Sequence, residues 1–84
     1  MTEKQFNEIP VSPSIIQEQS WWLGFPIIKK YNPSAICFAE QDKIIFGRFD
    51  KCRKMTELEA SKLRQYGWEL EEQFDNEIFF IKKL

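Results

Sequence analysis

Two β-rich runs, residues 35–40 and 43–49, flank a two-residue connection, Gln41-Asp42, and this spacing constrains the fold more than any other feature of the chain. A connection that short joins its flanking strands as an antiparallel hairpin. An isolated hairpin is barely stable in water, so other parts of the chain must cover one of its faces. A second pair of strands is visible downstream. Residues 68–74 alternate apolar with polar, residues 78–81 are continuously apolar, and Asp75-Asn76 between them is turn chemistry. The last of these strands is expected to be buried on both faces.

The covering elements are helical. Thr56-Glu57-Leu58-Glu59 is a capping box, in which the Thr56 hydroxyl accepts a first-turn N–H while Glu59 reaches back to the cap residue. The helix it starts is predicted to reach Tyr66 and stop at Gly67, with Met55, Leu58, Leu63 and Tyr66 facing the core and the Lys62 stem along the same side. Ser12-Pro13 and Gly24 bracket a predicted helix over residues 13–23, with Ile15, Ile16, Trp22 and Leu23 as its apolar face. Residues 25–31 fit either a strand or a helical turn begun by Pro26, and Asn32-Pro33-Ser34 breaks them. Residues 1–11 read as an N-terminal arm or edge strand anchored by Phe6, Ile9 and Val11, with Pro10 barring it from the centre of a sheet.

Residues 12–84 then form a single α+β domain, a small antiparallel sheet of four to five strands with two helices packed on one face. A faint repeat supports that layout. Leu23, Ile28 and Tyr31 align with Leu58, Leu63 and Tyr66, and Ile44, Ile45 and Phe46 with Ile78, Phe79 and Phe80, as two helix-hairpin units would.

Composition excludes more than it assigns. The 84 residues suffice for one modest core, and 12 basic against 13 acidic residues leave a net charge of −1, which does not mark a general nucleic-acid binder. The chain has no His, which removes the commonest general base, the commonest metal ligand and every Ser-His or Cys-His pairing. Two Cys without His make no zinc site, and Gly24, Gly47 and Gly67 are too scattered for a phosphate loop. Glu69 and Glu71 alternate with Trp68 and Leu70, so they should point into water and make poor acids or bases. No enzyme, metal or cofactor is expected.

Cys37 should lie opposite Phe46 in the first hairpin, out of reach of Cys52, so both are expected as free thiols. The N-terminus lacks a secretory signal and no apolar run could span a bilayer, which points to a cytoplasmic protein with no membrane partner. Cys52 sits among Lys51, Arg53 and Lys54, a setting expected to lower a thiol pKa.

The residues singled out for binding a partner are Trp21, Trp22, Arg48, Phe49, Lys51, Arg53 and Lys54. Adjacent residues on a helix point about 100° apart, so one indole of Trp21-Trp22 can enter the core while the other serves as an interface anchor. Residues 46–54 join an aromatic strand end to a basic loop. The expected function is a small non-catalytic regulatory or inhibitory module that binds a larger protein. Second comes a single-stranded nucleic-acid module using an aromatic sheet face and the basic loop 48–54, and third a structural subunit of a larger assembly; a homodimer is possible.

Ile45-Phe46-Gly47-Arg48-Phe49, followed by Glu59-Ala60, Leu63 and Gly67, resembles the strand-helix half unit of SPOR-type and phycobilisome-linker-type domains. The resemblance covers less than a third of the chain, and Arg48 stands where those families often place Pro. It implies a strand-loop-helix unit and no ligand.

Overall fold

The structure, a computed structural model, describes residues 1–11 and 22–83. The helix expected over 13–23 therefore falls outside the described residues except for Trp22 and Leu23, which lie in a turn.

β1 (Cys37–Ala39), β2 (Lys43–Arg48), β3 (Trp68–Glu72) and β4 (Ile78–Lys83) form one antiparallel sheet in the order β1-β2-β4-β3. The first hairpin takes its expected register, with Cys37 opposite Phe46, while the second pairs Leu70 with Phe80 because its loop is the three residues Phe74–Asn76 and not Asp75-Asn76 alone. Asp75 and Asn76 close the second hairpin with φ of 54° and 61°, a left-handed pair that these two residue types tolerate better than most. β4 lies at the centre, flanked by β2 and β3. Its burial explains the unbroken run Ile78-Phe79-Phe80-Ile81: Phe80 enters the main core while Phe79 and Ile81 join Ile45 in a second cluster.

The helices are α1 (Glu3–Glu8), α2 (Phe25–Tyr31) and α3 (Glu57–Gln65). All three feed the main core, which joins Phe6, Ile28, Ala60 and Leu63 to Ile44, Phe46, Trp68 and Phe80 of the sheet. The fold is α+β, and its described elements repeat as helix-hairpin, α2-β1-β2 then α3-β3-β4, with the two hairpins meeting along β2 and β4.

Two local expectations are corrected and one open alternative is resolved. The N-terminal segment contains a helix, not an edge strand, because Thr2 and Gln5 form a capping box of their own: Thr2 Oγ1 accepts from the Gln5 N–H at 3.1 Å and Gln5 Oε1 accepts from the Thr2 N–H at 2.8 Å. Residues 25–31 resolve as helix, started by Pro26 after Gly24 turns with φ of 99°. In α3, Ala60, Leu63 and Arg64 are buried while Leu58 is 69% exposed, so the core-facing stripe runs through the small Ala60 and not through Leu58.

β2 carries a bulge between Ile45 and Arg48, where the register to β4 shifts. Gly47 makes it, with φ of 84°, and α2 rests so close that a Cβ there would lie 2.4 Å from Ile28 Cγ2. The Arg48 N–H released from the ladder donates to Asn32 Oδ1 at 3.0 Å, which explains why Asn32 is buried.

Candidate functional site

The residues proposed for partner binding do not converge. Trp21 lies outside the described residues. Trp22 is 50% exposed in the turn before α2, beside Leu23, whose carbonyl accepts from Trp68 Nε1 at 2.7 Å. The basic loop lies toward the far end of α2, where Cys52 Sγ approaches the Ile28 carbonyl and the Arg48 N–H meets Asn32. Trp22 thus precedes α2 while the loop meets its middle and C-terminal end.

Within the loop, Phe49 is fully buried, not a contact residue. After Arg48 the chain curls into a 3-10 turn, Phe49–Cys52, that tucks Phe49 edge-on against Phe6 and Phe80. Arg48 is engaged internally by Glu77, with Asp50 at 3.6 Å from its Nε. Arg53 lays its guanidinium over the Phe49 ring at 5.3 Å, and its carbonyl accepts from the Met1 ammonium. Lys51 and Lys54 are exposed. Cys52 is buried, and desolvation, reinforced by Asp50, pushes its thiol up to about 12, the reverse of the expected lowering. The sulfur belongs to the main core, with Sγ toward the Ile28 carbonyl, so burial dominates.

The sheet face opposite the helices carries a feature that no single stretch of sequence reveals. Phe38 of β1 projects from the same side as Ile45 and Ile81, its cross-strand neighbours in sequence across the ladder. Its ring lies 5.1 Å from Phe74, in the second hairpin, and Phe74 in turn lies 5.5 Å edge-on from Phe79 of β4. Phe38 and Phe74 are 43% and 46% exposed, and Ile36, just before β1, is 65% exposed. A cluster of large apolar side chains left this open is unusual on a small domain.

The rest of that face is charged but internally matched. Lys43 Nζ lies 3.7 Å from both Glu40 and Glu71, and Lys83 Nζ lies 3.7 Å from Glu71 and 4.0 Å from Glu69. Glu69 and Glu71 do face away from Trp68 and Leu70, yet they are only partly exposed and pair with Lys83 of β4, Glu71 also with Lys43 of β2. Among the described residues, two lysines facing three glutamates leave no cationic track beside the aromatic rings.

Elsewhere, a half-open hollow of about 480 Å³ is lined by Met1, Gln5, Glu8, Ile9, Met55 and Glu57. Among the described residues, no three His, Cys, Asp or Glu side chains converge as a metal site, and no helix is long and apolar enough to cross a membrane. No family model matches the chain, and comparison with curated proteins and with solved structures gives no match either.

Proposed function

We propose that the protein is a non-catalytic regulatory module that binds a larger protein through the half-exposed aromatic pair Phe38 and Phe74. The observation that carries this reading is the exposed aromatic cluster in a field of paired charges. Rings of this kind are strong anchors when a partner desolvates them, and a surrounding surface of matched ions imposes little cost on an apolar partner. The same observation weighs against single-stranded nucleic acid. That mode needs cations beside the stacking rings, whereas Lys43 and Lys83 are held by glutamates and Phe46 and Phe49 lie in the core.

The test is affinity capture from extract of the source organism with and without nuclease, using the native chain, Phe38→Ser with Phe74→Ser, and Lys51→Ala with Lys54→Ala. A stoichiometric protein that survives nuclease and is lost only with the Phe variants supports the proposal. Recovery that depends on nucleic acid, falls steeply with salt and is lost with the Lys variants would replace it with the nucleic-acid reading.

A further inference from the structure

We propose that two copies of the chain pair through their β1 edges, antiparallel about a two-fold axis at Phe38, joining two four-stranded sheets into one. This goes beyond binding to a larger partner and does not depend on it.

The hydrogen-bond phase of the hairpin identifies the surface. The Glu40 N–H donates to the Lys43 carbonyl at 2.8 Å, so Glu40 and Lys43 form a hydrogen-bonded pair. Bonding alternates along an antiparallel ladder, which makes Phe38 and Ile45 the next bonded pair and leaves Cys37 and Ala39 with N–H and C=O directed away from β2. All three β1 residues are exposed. The free edge of the sheet therefore offers two donors and two acceptors, all on Cys37 and Ala39.

The same phase identifies the occupant. When two such edges run antiparallel with Phe38 opposite Phe38, Cys37 of each copy faces Ala39 of the other and all four donors find acceptors. Shifting the axis to Cys37 would call on Ala35, whose N–H is already given to the Asn32 carbonyl at 3.0 Å. Shifting it to Ala39 would call on Gln41 in the turn. Only the Phe38-centred register uses strand residues alone. It sets Glu40 opposite Ile36, so no like charges meet, and it places the two Phe38 rings in a non-hydrogen-bonded pair, where side chains approach most closely.

The other edge is unsuited to self-pairing. Two β3 strands centred on Leu70 would set Glu69 against Glu71, and the outward carbonyl of Trp68 is already taken by Arg64 Nη1 at 3.1 Å. Charge guards one edge of this sheet and leaves the other unguarded. Because Phe38 is half exposed, pairing also sets two Phe38-Phe74 clusters side by side, doubling the apolar surface. The three-residue edge is short, so the dimer should be weak.

Sedimentation velocity of the full chain over a concentration series tests the proposal. The mass should rise from the monomer value of 10.1 kDa toward twice that. Ala39→Pro removes one outward N–H without breaking the ladder to β2, and this variant should remain monomeric with unchanged circular dichroism. The register is read separately by disulfide formation with diamide, in which two thiols give up two hydrogens to the reagent as the S–S bond forms. In a Cys37→Ser background, Phe38→Cys should cross-link readily and Ile36→Cys should not. A native chain that stays monomeric at every concentration would overturn the proposal and leave the edge to a strand of another protein. So would association that persists in a folded Ala39→Pro, or equal cross-linking at both positions. If Ala39→Pro fails to fold, the two cysteine variants decide.

Discussion

At residue scale, two positions set how closely the helices approach the sheet. Gly47 lets α2 rest on the β2 bulge, and any Cβ there would both meet Ile28 and force an L-residue into φ of 84°. Gly47→Ala should destabilise the fold by about 2 kcal/mol or more, measured by urea titration, since the left-handed backbone alone accounts for roughly 1–2 kcal/mol. Glu59 ties α2 to α3: its carboxylate accepts from the Thr56 N–H at 3.0 Å, from the Tyr31 hydroxyl and from Lys30 Nζ at 2.9 Å. These bonds, the Thr56 N–H first, lower its pKa from 4.5 to about 2. A carboxyl depressed on folding contributes stability that is complete above its unfolded pKa and is lost as pH falls through the folded one. Thermal melts should therefore show a stability loss from about pH 4.5 down to about 2 that Glu59→Gln, which keeps the capping amide, removes in part.

At the scale of elements, what could be foreseen was what depends on neighbours in sequence. The register of the first hairpin follows from Gln41-Asp42 and the start of α3 from Thr56 and Glu59, whereas Asp75-Asn76 marks the second turn but not its register, since Phe74 joins the loop and Gln73 pairs with Glu77. α1 carries the same signature in Thr2-Glu3-Lys4-Gln5, but a six-residue helix with Phe6 as its one buried side chain shows no periodicity to draw attention to it. Thr2→Ala should cost about 1 kcal/mol in chemical denaturation if that cap is what holds α1. The loop after β2 was misjudged for a different reason. Its charges look free when counted along the chain, whereas Arg48 meets Glu77 and Phe49 meets Phe6, partners supplied by distant segments. The Phe38-Phe74 cluster was hidden in the same way, since only the order β1-β2-β4-β3 brings the two hairpins onto one surface.

At the scale of the whole molecule, α1 is part of the core. Phe6 is fully buried, packed edge-on against Phe49 and Phe80, with the Arg64 guanidinium 5.1 Å from its ring centre and Arg64 Nε donating to the Ile9 carbonyl at 2.7 Å. Phe6→Ala should cost about 3–5 kcal/mol, a large share of the roughly 5–15 kcal/mol that holds a domain together, and calorimetry should find the variant partly unfolded at room temperature. Strand order has a further consequence for how the protein comes into being. The ribosome makes β4 after the other three strands, yet β4 is the strand on which β2 and β3 both pair. Until residues 78–83 clear the exit tunnel, Ile44, Phe46, Trp68 and the helices above them have no central strand to close against. The nascent chain must therefore hold exposed aromatic surface to the end of this stretch and complete its core in one late step, and that interval is when a chaperone would matter most.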